Sequence, residues 1–278
     1  MIISIELLNA IQFILIGTTV GILGTIVGAG GGFFVVPYLL LVSKMPHLTV
    51  IGTSMTMVFF NAISGTLAYL RQKRIDLKTG IRFSLAILPG SILGAYISNF
   101  LNIKIYSILF GLLLLGVGIF ILVRPQYEDN ENNLASVMDV KWPIAKRRIV
   151  DSEGNTYLYS FNEKKGLILS FLIGFMATSL GIGGGILHVP LMIYMLGFPV
   201  HIATATSFFI LLISSFSGVI THFFMNHVNL IVALYLSGGA IIGAQIGAIL
   251  SKKFDAKIIQ TILAVCLVLV SFKLIFYK

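Results

Sequence analysis

The sequence predicts an all-α polytopic membrane protein built from two inverted-topology repeats, with broken or re-entrant helices at a duplicated G-x-G-G-G motif. Three observations carry this: an apolar composition, a gapless internal match at one fixed offset, and the placement of the basic loops.

Of the 278 residues, 57% are hydrophobic and 10% charged, against about 25% charged in a soluble domain. Mean hydropathy is +1.00. A bilayer core takes about 20 apolar residues to cross, and such runs lie at 7–27, 50–70, 79–98, 104–123, 203–223, 230–250 and 256–276. Shorter apolar segments fill 33–43, 166–181 and 186–197. The stretch "MIISIELLNAIQ" holds Glu6 but no Lys or Arg. No small-residue cleavage site follows it, so the first helix is expected to stay in the mature chain. The single cysteine, Cys266, sits in an apolar run; it excludes an internal disulfide and gives no metal cluster. The net charge of +9 comes from 19 Lys and Arg placed almost wholly in loops, which reads as topology signalling rather than nucleic-acid binding.

The segment "GAGGGFFVVP" at 28–37 returns as "GIGGGILHVP" at 181–190, an offset of 181 − 28 = 153. The register holds well beyond the glycines. Thr25 meets Thr178, Pro46 meets Pro199, Thr53-Ser54 meets Thr206-Ser207, and Ser64-Gly65 meets Ser217-Gly218. Farther on, Leu77, Gly90, Gly94, Ala95 and Lys104 meet Leu230, Gly243, Gly247, Ala248 and Lys257. Such a match predicts an internal duplication over about 7–123 and 160–276. The chain thus divides into a first transmembrane repeat at 1–123, a polar linker at 124–165 and a second repeat at 166–278. In the linker, "RPQYEDNENN" reads as flexible, while "RRIVDSEGNTYLYSF" places apolar residues on both sides of a turn and predicts a β-hairpin. Lys141, Lys146, Arg147 and Arg148 assign the linker to the cytoplasmic side.

Charge sets the relative orientation of the repeats. "RQKRIDLK" at 71–78 is basic, but its counterpart "MNHVNL" at 225–230 has no Lys or Arg; "SKKFDAK" at 251–257 is basic where "NFLNIK" at 99–104 has one Lys. Inverted repeats put 71–78, 124–165 and 251–257 together inside and both termini outside, which requires an odd number of crossings per repeat.

The glycine clusters then read as helix breaks inside the membrane, each followed by a half-helix starting at Phe33 or Ile186. The chain either turns back at each break or continues as a second tilted leg. Broken backbone at that depth is tolerated where protein buries it or where it lines a cavity, and in inverted-repeat transporters half-helix N-termini point at the substrate. Free N–H groups and positive dipole ends suit an anion. The pairs Gly90/Gly94 and Gly243/Gly247, in long uninterrupted runs, fit helix packing instead. No acidic residue lies inside any of these spans, whereas cation carriers and proton pumps often keep one there.

The candidate substrate-binding residues are therefore Gly30, Gly31, Gly32, Thr53, Ser54 and Asn61 in the first repeat, and Gly183, Gly184, Gly185, Thr206, Ser207 and Gln245 in the second. Thr25, Thr178 and Ser214 are further neutral polar groups. His188 stands where the first repeat has Val35 and is a candidate for proton coupling; His222 and His227 lie near a helix end, and Arg82 and Lys273 can snorkel. The expected partners are a small anion and the lipid bilayer, with oligomeric state left open. No catalytic residue, cofactor, metal or nucleic acid is implied. "SSFSG" at 214–218 is duplicated as "AISG" at 62–65, and Tyr69 stands opposite His222, which speaks against a serine-protease nucleophile. "GAGGGF" is no dinucleotide fingerprint, because Phe33 occupies the last glycine's place and no βαβ unit surrounds it.

The duplicated G-x-G-G-G-x-x-x-V-P, the Thr-Ser segment after it, the similar repeat lengths and the hairpin between the halves resemble the TauE/SafE family of sulfite and organosulfonate exporters. The resemblance covers nearly the whole chain. It implies a secondary transporter of small sulfur-containing anions in a prokaryotic cytoplasmic membrane, with 28–32, 181–185, Thr53-Ser54 and Thr206-Ser207 in the motif regions. Alternatives are a carrier of the same fold for another solute, such as thiosulfate uptake, and a non-transporting membrane scaffold subunit. Gly52 opposes Ala205 and Ile51 opposes Thr204, so the two halves of any site are chemically unequal.

This topology is open to direct measurement. A cysteine placed at Ser152 is expected to be shielded from an impermeant thiol reagent in intact cells, and modification there would overturn the orientation.

Overall fold

The computed structural model describes residues 2–123 and 144–275; the stretch "RPQYEDNENN", Lys141 and the side chain of Cys266 lie outside the described part. The elements are α1 (Ile2–Ile26), α2 (Gly32–Leu41), α3 (His47–Arg71), α4 (Leu77–Ile97) and α5 (Ile103–Val123). After them come β1 (Ile144–Val150), β2 (Thr156–Asn162), α6 (Glu163–Ser179), α7 (Gly185–Pro190), α8 (Val200–Phe224), α9 (Leu230–Leu250) and α10 (Ala256–Ile275). A π-helical turn, Leu191–Met195, extends α7 past Pro190, whose ring nitrogen cannot donate to the preceding turn. Among the described residues six helices are long and apolar enough to cross a membrane. The protein is an all-α polytopic membrane protein.

Helix starts follow from capping side chains. Asp76, Asn162 and Asn229 stand just before α4, α6 and α9 and accept from the backbone N–H of Thr79, Lys165 and Val232, which satisfies donors a helix start leaves open. Pro46 and Pro199 precede α3 and α8.

α3 and α8 are the most buried of the long helices and cross the centre in opposite directions. Gly52 abuts His222 and His227, Gly65 abuts the Phe208 ring, and Gly218 abuts Met55. Around them the halves interlock. α1 runs alongside α9 in the same direction, with Gly239, Gly243 and Gly247 pressed on the backbone of Ile14, Thr18 and Ile22. Likewise α4 runs alongside α6, with Gly90 and Gly94 pressed on Phe171 and Phe175. These glycines have no side chain because another helix's backbone occupies that space, the close approach that small residues permit in lipid. α5 and α10 pack antiparallel, Gly111 near Ile275 and Gly118 near Val268. Leu85, Ile92, Leu109, Leu122, Leu234 and Ile249 stay exposed on the outer helices, an apolar surface that lipid covers.

The strands pair antiparallel from Ile144↔Asn162 to Val150↔Thr156. At their turn the Asp151 carboxylate accepts from the N–H of Glu153 at 2.9 Å and Asn155 at 3.0 Å. Burial pushes this carboxyl up, but the Asn155 amide, those two N–H groups and the Arg74 guanidinium outweigh it and hold it below the usual carboxylate value. The hairpin is bound to the α3–α4 loop by Ser152 N–H donating to Gln72 O at 3.0 Å and by the Arg74–Asp151 pair at 3.5 Å. Lys252, after α9, pairs with Glu153 at 2.9 Å. The basic loops at 71–78 and 251–257 therefore share one face with the hairpin. Arg82, which its place near a helix start lets snorkel, is paired with Glu163.

The crossing glycines give a graded expectation. A Cβ at Gly90 or Gly243 would overlap the carbonyl oxygen of Phe171 or Thr18, whereas one at Gly116 would meet nothing within 4 Å. Gly90→Ala and Gly243→Ala should each cost about 1–3 kcal/mol through overpacking, and Gly116→Ala should be neutral or mildly stabilising. Thermal unfolding in detergent checks the order.

Candidate substrate site at the paired glycine turns

Between α1 and α2 the chain turns at Gly28, Gly30 and Gly31, with φ of 78°, 76° and 87°; between α6 and α7 it repeats the turn at Gly181, Gly183 and Gly184, with φ of 77°, 76° and 98°. Left-handed backbone costs an L side chain about 1–2 kcal/mol per residue. That is why both copies of the motif place glycine at these three positions.

The chain turns back at each break. Tyr38 of α2 sits edge-on to Phe13 of α1, with ring centroids 6.4 Å apart, and its hydroxyl accepts from the Gln12 side chain at 2.8 Å. In the second repeat His188 of α7 lies 3.0 Å from the Ser170 hydroxyl of α6. The half-helices begin at Gly32 and Gly185, one residue before the positions expected from sequence, because the third glycine of each motif already serves as the cap. From there α2 and α7 diverge towards opposite faces of the molecule. The turns lie at mid-height: Asn61, near the middle of α3, donates to Gly30 O at 2.9 Å.

At the centre the turns touch. Gly32 packs against Gly181 and Ile182, and Gly185 against Gly28 and Ala29. Ser54 Oγ donates across to Gly181 O at 3.1 Å, and Ser207 Oγ donates across to Gly28 O at 3.2 Å. Within each repeat Asn61 holds Gly30 O and Ser214 holds Gly183 O. The carbonyls of Gly31 and Gly184 take the first bonds of their half-helices, from Phe34 and Val35 and from Leu187 and His188. The N–H groups of Gly31, Gly32 and Phe33, and of Gly184, Gly185 and Ile186, have no acceptor among the described residues. These N–H groups thus stand uncommitted at two opposed helix starts, and the carbonyls of Ala29 and Ile182 likewise take no donor among the described residues. Val58 and Leu211, equivalent under the 153 offset, both lie over Gly30 and Gly183.

The structure brings Gly30–Gly32, Gly183–Gly185, Ser54, Ser207 and Asn61 to this centre and places other predicted residues elsewhere. Gln245 on α9 donates to the carbonyl and hydroxyl of Ser64 on α3, 2.8 Å each, and ties those helices together. His188 is directed at α6, and its Nδ1 is buried without a partner. Thr25 and Thr178 also bury hydroxyls without partners. Thr53 and Thr206 face away from the turns: Thr53 Oγ1 accepts from Asn229 N–H, and Thr206 Oγ1 accepts from Asp76 N–H, at 3.0 Å each.

Sequence reasoning passed over Asp76, Asn229 and Tyr159, and read Arg147 only as a topology charge. The first two carried a usable signal, since 76 + 153 = 229 makes them equivalent, each an Asx residue one before the matched Leu77 or Leu230. The hairpin residues carried none, because the hairpin has no copy. The Asp76 carboxylate accepts from Tyr159 Oη at 2.7 Å and from Arg147 Nε at 3.2 Å. Burial first, and then the neighbouring Asp76 carboxylate, push the Tyr159 hydroxyl well above the ordinary tyrosine range.

The family profile described as Sulfite exporter TauE/SafE matches residues 13–274. Among curated proteins, the chain is 32% identical over 276 residues to the probable membrane transporter protein YunE of Bacillus subtilis, covering 97% of this chain and 98% of that one. It is 26% identical over 268 residues to a probable membrane transporter protein of Methanocaldococcus jannaschii, covering 90% of each. A Sinorhizobium protein of the same description is 25% identical over 255 residues, 92% of this chain and 88% of that one. No solved structure matches significantly.

The two turns differ behind the third glycine. A Cβ at Gly31 would overlap Val20, whereas one at Gly184 would make ordinary contacts of 3.4–3.6 Å to Ile87, Ile173 and Ala177. Both Gly31→Ala and Gly184→Ala should lose about 1–2 kcal/mol to left-handed backbone, and Gly31→Ala about 1–3 kcal/mol more to overpacking. Unfolding temperatures of the two variants side by side check this.

Proposed function

The chain belongs to the sulfite exporter TauE/SafE family, and from that premise we propose that this membrane transporter is a secondary carrier moving a small sulfur-containing anion, sulfite or an organosulfonate, outward across the cytoplasmic membrane by alternating access. One observation carries the choice of an anion: at the paired turns the carbonyls of Gly28, Gly30, Gly181 and Gly183 are each held by a side-chain donor, while the N–H groups that open both half-helices are not.

Magnitudes support a site without a fixed positive charge. A charge at the bilayer centre costs roughly 2.5–3.5 kcal/mol on insertion scales. One helix start returns about 0.3–1 kcal/mol, or up to about 2 where partly buried. Two opposed, partly buried starts together offset that cost, while Ser54 and Ser207 keep the neighbouring carbonyls turned away from the anion. In this conformation the turns touch, and they separate when the anion enters. The carrier consists of two inverted repeats at 1–123 and 166–278, joined by a cytoplasmic 124–165 segment, with both termini outside.

The test is a thermal-shift panel of sulfite, sulfate, thiosulfate, taurine and sulfoacetate on purified protein, followed by flux in proteoliposomes. Sulfite or a sulfonate is expected to stabilise the protein, and Ser54→Ala and Ser207→Ala are each expected to weaken that binding several-fold. Stabilisation by thiosulfate alone, with inward flux, would reassign substrate and direction. Stabilisation by cations alone would overturn the anion site.

A further inference from the structure

The offset that equates Asp76 with Asn229 also equates Thr206 with Thr53 (53 + 153 = 206), and the structure joins these residues crosswise. On the hairpin face, Asp76 N–H from the first repeat donates to Thr206 Oγ1 of the second; on the opposite face, Asn229 N–H from the second repeat donates to Thr53 Oγ1 of the first, 3.0 Å each. Each bond ties the loop before one repeat's α4 or α9 to the start of the other repeat's central helix. The residue following each threonine, Ser207 or Ser54, bonds the glycine turn across the centre. Site and loop are thereby linked through two consecutive residues of one helix.

We propose that these two N–H to threonine bonds are the gates of the carrier, one at each face, with Asp76 and Asn229 as gating residues, and that the 144–162 hairpin fastens the hairpin-face gate through Arg147. This rests on the alternating-access reading above. Both gates are closed in this structure, and alternating access opens one while the other holds.

The gates differ in what holds the capping residue. The Asp76 carboxylate accepts from Thr79 N–H at 3.0 Å, Arg147 Nε at 3.2 Å and Tyr159 Oη at 2.7 Å, and also from the Thr79 hydroxyl. Arg147 in turn reaches Glu163 at 3.8 Å. The Asn229 amide accepts from Val232 N–H at 3.2 Å, and it lies on the face away from the hairpin. Charge-assisted hydrogen bonds are about twice as strong as neutral ones, so the hairpin-face gate opens more rarely while Arg147 is in place. Ser152–Gln72, Arg74–Asp151 and Lys252–Glu153 hold the hairpin independently of Arg147, which lets the lock be removed without undocking the hairpin.

Hydrogen exchange reads the two gating N–H groups directly. In full-length protein in lipid nanodiscs without substrate, the amide of Asp76 should exchange more slowly than that of Asn229. Arg147→Gln should speed exchange at Asp76 about tenfold, the effect of losing one hydrogen bond to a charged group, and leave Asn229 unchanged. Tyr159→Phe, which keeps the ring packed against Phe161 and Phe198, should give a smaller change of the same kind. Unchanged exchange at Asp76 in both variants, or equal acceleration at both gates, would overturn the lock. No substrate is used, so failure here leaves the anion reading standing, and failure of the anion panel leaves this result standing.

Discussion

Backbone that leaves a helix inside a bilayer must find hydrogen-bond partners within the protein, and the structure depends on how the two glycine turns meet that demand. Their carbonyls are held by Ser54, Asn61, Ser207 and Ser214, which fixes those side chains and through them the central helices α3 and α8. Two of the four donors cross to the other repeat, so neither turn is complete alone. The N–H groups that open both half-helices are left without acceptors among the described residues.

The same demand shapes the surroundings. Lipid offers no hydrophobic gain for helix association, so contact has to come from close packing. Gly90, Gly94, Gly239, Gly243 and Gly247 supply it by letting α4 and α9 lie on the backbones of α6 and α1. These partners belong to different halves. The interlock surrounds the turns, and the short loops at 71–76 and 225–229 join the central helices to it.

Those loops end in Asp76 and Asn229, equivalent in position and different in charge. The hairpin side chains reach the first of these residues and not the second. A carboxylate can be gripped by Arg147 and Tyr159 together, whereas an amide offers a single neutral acceptor.

Much of this was legible in the sequence. Membrane character follows from composition, the family resemblance from the motif that the profile match supports, and the helix breaks from glycine, the residue that carries no penalty at positive φ. The packing role of Gly90 and Gly243 was legible because small residues in long apolar runs imply close helices. The assignment of polar residues to the site was only partly so: Ser54 and Asn61 reach the turns, but Thr53 and Thr206 are turned to the loops and Gln245 is held by Ser64. Consecutive residues on a helix point about 100° apart, so Thr53-Ser54 could not share one target, and which of the two faces the centre depends on how α3 is rotated against α8. The sequence by itself determined where the backbone must break and that both breaks are alike, since this is local stereochemistry. Whether the chain turns back, which side chains hold its carbonyls and which loops meet which threonines were decided by the tertiary structure, because those partners lie 31 to 179 residues apart along the chain.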